Sequence, residues 1–238
     1  MAIDLNKRIE KVKIILAKKN LPDVVAQVGV AFDISGSMQS LYGNGTVQDV
    51  AERILAIACR FDDNQNLDAW TFTGGCDTLE SITLENYATF VKKEILENGN
   101  VSKWGSTSYS PVMQSILNEY FPTSVVKTVK NKLFGLFSDT TSETVSTPKT
   151  TDPSYVIVIT DGENDDVAKT ISLIESTADK NIYWQFVGIG STKFAFLEKI
   201  AGRYSNVGFV AVADLSTTSD DDLYLKLLDD KFCGWVKK

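Results

Sequence analysis

Histidine is absent from this chain of 238 residues. That absence removes Ser-His-Asp and Cys-His catalysis, His-ligated zinc and the HExxH peptidases together. Cysteine is scarce: Cys59, Cys76 and Cys233 are too few for a Cys₄ zinc site and too widely spaced for a zinc or redox pair. Unpaired thiols suit a reducing compartment, and a cytoplasmic protein is expected. Long apolar runs are missing as well, since nothing approaches the roughly 18 residues of a membrane span. Lys7, Arg8, Lys11 and Lys13 near the start are not followed by the uninterrupted apolar segment of a signal peptide. GxSxG, GxxxxGK[ST] and GxGxxG do not occur, which disfavours most familiar enzyme classes. Positive charge is in deficit too: a net charge of −7 argues against a nucleic-acid backbone as partner.

What is present is ordinary globular material, 43% hydrophobic and 23% charged, in a chain able to bury a sizeable core. The organising stretch is the apolar run Val24 to Phe32, which reads as a buried strand and ends in Asp33-Ile34-Ser35-Gly36-Ser37. A carboxylate and two hydroxyls at alternate positions on a sharp turn bring three oxygens close together. Hard cations such as Mg²⁺ take oxygen ligands at about 2.0–2.1 Å in octahedral array. The plainer reading is a Ser/Gly turn in which the Asp caps local amides. A second buried strand, Tyr155 to Thr160, ends in the same way at Asp161-Gly162-Glu163-Asn164-Asp165-Asp166. Its carboxylate spacing is wrong for an EF-hand.

Along the chain, Asp4 caps an amphipathic helix bearing Leu5, Ile9, Val12 and Leu16 and stopping at Asn20, with its lysines on a solvated face. Thr46 is the expected N-cap of a helix with Val47, Val50, Ile54, Ala58 and Phe61 on one stripe. A strand over Leu67 to Phe72, a further strand over Thr78 to Leu84 and a helix over Glu85 to Glu97 are expected next. The polar segment Trp104-Gly105-Ser106-Thr107-Ser108-Tyr109 precedes Ser110-Pro111, an N-cap and first-turn proline. Residues 123–153 read as an insertion: a short helix over Val125 to Phe137, then a Ser/Thr-rich stretch. A helix over Val167 to Ala178, the strand Ile182 to Ile189, a short helix ending at Gly202, the strand Val207 to Val212 and a helix over Leu223 to Leu228 close the chain. Phe232 and Trp235 are expected to dock the tail.

Five or six strands alternating with helices predict one α/β domain over 1–238, with a doubly wound, mainly parallel central sheet flanked by helices. In such sheets ligands sit outside the carboxyl ends of the strands. Asp33 and Asp161 both lie at such ends, and Thr107 lies in a loop of the right type, so the three converge on one rim.

Together the three segments resemble the metal-ion-dependent adhesion site (MIDAS) of von Willebrand factor A (VWA) domains, a Rossmann-like fold. That pattern is DxSxS, then a threonine in a glycine-bearing loop, then an aspartate after a hydrophobic strand. Further stretches are similar to a bacterial and phage subgroup associated with tellurium resistance and stress, the TerF-like A domains. They include Arg60-Phe61-Asp62-Asp63, Leu67-Asp68-Ala69-Trp70 and Trp184-Gln185-Phe186-Val187-Gly188-Ile189-Gly190. Ser106 stands where that family commonly has glycine. The resemblance implies a divalent metal, Mg²⁺ with Mn²⁺ or Ca²⁺ as alternatives, at Asp33, Ser35, Ser37, Thr107 and Asp161. It also implies a protein partner that offers an acidic side chain, and no catalysis.

Two other readings stay open: an Mg²⁺-dependent hydrolase using Glu163, Asp165 or Asp166 as base, and an assembly component whose metal site is vestigial. Tyr42, Trp104 and Tyr109 are candidates either for partner anchors or for core packing. Asp62-Asp63 and Asp165-Asp166 read as solvated loop charges or a second calcium site. Oligomeric state is not legible.

Overall fold

The computed structural model describes residues 4–21, 24–62, 64–130, 139–146, 151–162, 164–190 and 193–237. In chain order the elements are α1 (Leu5–Lys18), β1 (Gln27–Asp33), α2 (Gln39–Gly43), α3 (Thr46–Phe61), β2 (Asp68–Phe72), β3 (Cys76–Thr78), α4 (Ser110–Tyr120), β4 (Thr123–Lys130), β5 (Asp139–Ser146), β6 (Ser154–Thr160), α5 (Val167–Ser176), β7 (Ile182–Ile189), α6 (Ala195–Arg203), β8 (Val207–Val212), α7 (Asp220–Leu227) and α8 (Asp230–Val236). The central sheet is six-stranded in the order β3-β2-β1-β6-β7-β8. Only the β2–β3 edge pair is antiparallel; β1–β2, β1–β6, β6–β7 and β7–β8 are parallel. The chain leaves β1 toward one edge and returns to the other side of β1 as β6. The β1/β6 boundary is therefore the topological switch point, where an open α/β sheet forms its ligand crevice.

Alternation along the strands builds two cores. Val28, Val30 and Phe32 of β1, with Tyr155, Ile157 and Ile159 of β6, pack with residues of α1, α3, α7 and α8 on one face. Ala31, Val156, Val158, Trp184 and Phe186 pack with those of α4, α5 and α6 on the other. Every residue of β6 is buried, as a strand covered on both faces requires. Gly29 faces the second core, where an added Cβ would lie 2.7 Å from the Tyr120 hydroxyl and 3.0 Å from the Trp70 ring. That close crossing explains the glycine in the apolar run.

Several local expectations shift. The segment expected as a helix over Val125 to Phe137 starts instead as β4, which pairs antiparallel with β5 from Thr123↔Ser146 to Lys130↔Asp139. Thr123, Val125, Val126, Thr128 and Val129 are β-branched, and that density favours extended backbone over the helical periodicity read there. Residues 131–138 and 147–150 lie outside the described ones. In place of a helix over Glu85 to Glu97 stand a 3₁₀ turn at Tyr87–Thr89 and a π-helical turn at Val91–Leu96. The edge strand falls at Cys76–Thr78, with Leu67 and Ile82 meeting in an isolated bridge. Thr46 is the first helical residue of α3 and not its cap; Gly45, at φ 83°, takes the cap position, and Asn44 Oδ1 accepts from the Thr46 amide. The tail that Phe232 and Trp235 dock is a helix, α8, whose Phe232 is fully buried.

Candidate metal centre

Asp33 is the last residue of β1 and fully buried. Its Oδ1 accepts from the Ser35 amide at 2.8 Å, and its Oδ2 accepts from the Thr160 hydroxyl at 2.6 Å. The local cap of the plainer reading is therefore real, but it occupies one face of the carboxylate only. Burial pushes this carboxyl above the ordinary aspartate range, against the hydrogen bonds from Ser35 and Thr160 that pull the other way. Buried negative charge of this kind is stabilised by a cation.

The hydroxyls converge beside it. Ser35 Oγ and Ser37 Oγ lie 3.2 Å apart, and Ser37 Oγ donates to Asp161 Oδ1 at 2.7 Å. Adjacent oxygens of an octahedron around Mg²⁺ are about 3 Å apart when each lies about 2.1 Å from the metal. Donor spacing and hard-oxygen chemistry thus fit a hard divalent cation. Thr107 is buried, and its hydroxyl oxygen lies 3.4 Å from where a Cβ on Gly162 would sit. Thr107 thus lies against the Asp161-Gly162 turn. All five sequence-predicted residues come to one rim. Among the described residues no group of three or more His, Cys, Asp or Glu could hold a metal.

Two loops are tied together at this point. Gly36 donates its amide to the Gly105 carbonyl at 3.2 Å, and Trp104 donates to the Ile34 carbonyl at 2.8 Å, which pins the Thr107 loop to the Ser35 turn. Thr107 and Asp165 exchange bonds: the Asp165 amide donates to the Thr107 carbonyl at 2.9 Å, and the Thr107 amide donates to Asp165 Oδ2 at 3.3 Å.

A family model described as the vWA found in TerF C terminus matches residues 25–130 and 136–238. The chain belongs to the TerF-like vWA family. The uncharacterized protein YcbR of Bacillus subtilis (strain 168) is 38% identical over 240 residues, covering 99% of this chain and 87% of that protein. Proximal thread matrix protein 1 from the mussel byssus shares 18% identity at a TM-score of 0.56, over 89% of this chain and 49% of its own. The same mussel protein with a zinc-occupied MIDAS motif matches at 16% identity and a TM-score of 0.56, over 90% and 52%. This chain thus spans about half of the mussel protein. An aerotolerance-related membrane protein from Bacteroides fragilis NCTC 9343 matches at 14% identity and a TM-score of 0.56, over 87% and 98%. At these identities the three structures share the fold.

Within this TerF-like vWA domain the rim aromatics are packing residues. Tyr42 and Tyr109 are buried, and their hydroxyls donate to the carbonyls of Asp33 at 3.1 Å and Gly162 at 2.9 Å. Both brace the loops that carry the aspartates. Trp104, in left-handed backbone at φ 63°, packs its ring edge-on against Tyr42 at 5.7 Å.

Asp165 and Asp166, read from the sequence as solvated loop charges or a second calcium site, are exposed and half-buried respectively, and both also brace the loop. Asp166 accepts from the amides of Tyr109 at 3.1 Å and Ser110 at 3.0 Å and from the Thr170 hydroxyl at 2.9 Å. It caps the N-terminus of α4 from another element, an arrangement worth about 0.5–2 kcal/mol for a cap within its own helix. Asn164 is buried and joins Tyr109, Asp166 and Thr170. Asp166→Ala is expected to lower stability by about 1–2 kcal/mol in a urea melt and to weaken metal binding, because Thr107 and Asp161 would no longer be held in register. Undiminished metal affinity in that variant would show that the brace has no part in the site.

Proposed function

We propose that this domain is a protein-binding module that holds a divalent cation, Mg²⁺ in the cell, at Asp33, Ser35, Ser37, Thr107 and Asp161. Through it the domain takes up an acidic side chain of a partner protein. The observation that carries this reading is the convergence of two carboxylates and three hydroxyls at the sheet's switch point, with Ser35, Ser37 and Asp161 oxygens at octahedral-edge separations. The zinc-occupied MIDAS of the mussel protein supports it, since a related fold holds a metal there. Bound at this site, the cation would supply a positive centre at which an incoming carboxylate gains a charge-assisted contact.

The chain's own residues do the rest. Asp33 fixes the Ser35 turn from below, Tyr42 and Tyr109 brace the flanking carbonyls, and Asp165 and Asp166 hold the Thr107 loop against the Asp161 loop. We read the domain as a binder and not a catalyst, because Asp165 and Asp166, two of the three possible bases, are engaged in backbone hydrogen bonds. Three free cysteines support a cytoplasmic setting. No helix among the described residues is long and apolar enough to cross a membrane. Membership of the TerF-like family supports a role in a stress system of the tellurium-resistance kind.

The test is binding of short labelled peptides that each carry one Asp or Glu, followed by fluorescence anisotropy with Mg²⁺ and with excess chelator. Binding should require the metal, and Ser35→Ala with Ser37→Ala should weaken it by about 10–100-fold, the range typical of disturbed metal sites. Peptide binding that survives chelation would overturn the reading.

A further inference from the structure

From Ser37 and Asp161 the rim opens into a groove of about 450 Å³ that passes Ile189 at the end of β7 and reaches Asp214 and Ser216 in the β8–α7 loop. Leu41 and Ile189 give it apolar surface, and among the described residues no Lys or Arg lines it. Its metal end carries Asp161, and its far end carries a second carboxylate that the proposed metal site does not use.

Asp214 is held in place by its own loop. Its Oδ1 accepts from the Ser216 amide at 2.8 Å and the Ser216 hydroxyl at 2.6 Å, and its carbonyl accepts from the Thr218 amide at 3.1 Å. Arg53 of α3 fixes the same loop by donating to the Thr218 carbonyl at 2.8 Å. These bonds leave the carboxylate exposed and rigid, and the Ser216 bonds hold its pKa below the ordinary aspartate range. No basic side chain among the described residues forms an ion pair with it.

A partner segment with acidic charge alone would be repelled along this groove, on a chain whose net charge is −7. We propose that the groove selects its partner by a paired charge: the segment whose carboxylate goes to the metal end also carries a Lys or Arg that reaches Asp214. This rests on the metal-dependent reading above and adds the specificity to it. The acid supplies attachment; the basic neighbour supplies discrimination, because segments without it leave Asp214 unpaired.

Labelled, end-blocked peptides with one Asp and one Lys placed one to four residues to either side test this in Mg²⁺, beside versions with Gln or Glu in place of the Lys. At the spacing that spans the groove, the Lys peptide should bind about three- to tenfold more tightly than the Gln peptide, as expected for a charge-assisted hydrogen bond in a partly exposed setting. The Glu peptide should bind more weakly than either. Asp214→Asn keeps an acceptor for Ser216 and should abolish the preference, so that the Lys and Gln peptides bind with equal affinity. Metal-dependent binding that ignores the Lys, or a Lys preference that survives Asp214→Asn, overturns the paired-charge rule and leaves the metal reading standing. If no peptide binds and Mg²⁺ gives no Asp33-dependent thermal shift, the metal reading falls and takes this rule with it.

Discussion

Mg²⁺ added to chelator-treated protein is expected to raise its melting temperature, and to leave the melting temperature of Asp33→Ala where it was. A cation that binds only the native state stabilises it by RT ln(1 + [L]/Kd), about 2.7 kcal/mol at a hundredfold excess over Kd. For a domain of this size that corresponds to about 5–11 °C. The origin of the effect lies in Asp33, whose buried carboxylate is penalised by desolvation until positive charge reaches it. Truncation to alanine also strands the Ser35 amide and the Thr160 hydroxyl, which donate to Asp33. The diagnostic quantity is therefore the metal-induced shift in each protein and not the starting temperature. Asp33→Asn keeps an acceptor for the Ser35 amide and should lose most of the shift with a smaller change in that starting value. Mn²⁺ should act like Mg²⁺, because the site offers hard oxygen donors to an ion of octahedral preference. A wild-type protein unmoved by millimolar Mg²⁺, Mn²⁺ and Ca²⁺ would put a structural component with a vestigial site in first place.

Asp220→Ala should cost about 3–5 kcal/mol, the range seen when one partner of a buried charge pair is removed, and lower the melting temperature by about 6–20 °C. The Asp220 side chain is fully buried, with Arg53 Nε 3.2 Å and Arg8 Nε 3.6 Å from its oxygens. Arg8 is also paired with Asp49 and with Glu52 at 3.0 Å, and Arg53 with Asp49 at 2.7 Å. Neither Asp220 oxygen makes a hydrogen bond, so charge alone joins α7 to α1 and α3 at this point. Without Asp220, two guanidiniums with 3% and 7% of their side-chain surface exposed would face each other with less compensation. Replacing Arg8 with Met in the same chain should recover part of the loss, because removing charge from both sides is far less costly than removing it from one. A urea midpoint for Asp220→Ala within about 0.5 kcal/mol of the parent, the usual range for surface substitutions, would show that water reaches the cluster and screens it.

That cluster marks the limit of pattern reading in α1. Leu5, Ile9, Val12 and Leu16 were legible as its apolar stripe, of which Ile9 is only partly buried, and Asp4 as its cap, which accepts from the Asn6 amide. Arg8 sits on the same stripe and is 2% exposed. Helical spacing places it there, but only partners from α3 and α7, far away in sequence, make a buried guanidinium tolerable. Asp166 and Asn164 were missed for the same reason. Short acidic runs after a strand are usually solvated; Asp165 is exposed, but Asp166 and Asn164 turn to the free amides at the start of α4. Ser110, read as the N-cap, is instead the first residue of α4, and Tyr109 at the cap position makes no side-chain cap bond, so the amides of both go to Asp166.

The strand Ile182 to Ile189 was legible because burial on both faces leaves a continuous apolar run; the edge strand Val207 to Val212 keeps such a run although Phe209, Val210 and Ala211 are partly or fully exposed. Ile182 to Ile189 and Val207 to Val212 were bounded to the residue. The segment from Val125 was misread because its β-branched residues and its helical spacing point opposite ways, and pairing with β5 decides between them.

The sequence by itself determined the α/β class, the two central strands that end in aspartate, and the five oxygen-bearing residues that share one rim. Each of these is written locally, in runs of apolar residues and in spacings of two or three positions. Tertiary structure alone decided which loops brace the rim, which charges are buried in pairs, and that a groove leads from Ser37 and Asp161 to Asp214. Those features depend on the distance between groups brought together from distant parts of the chain, and electrostatic and hydrogen-bond energies fall off with that distance in space and not in sequence.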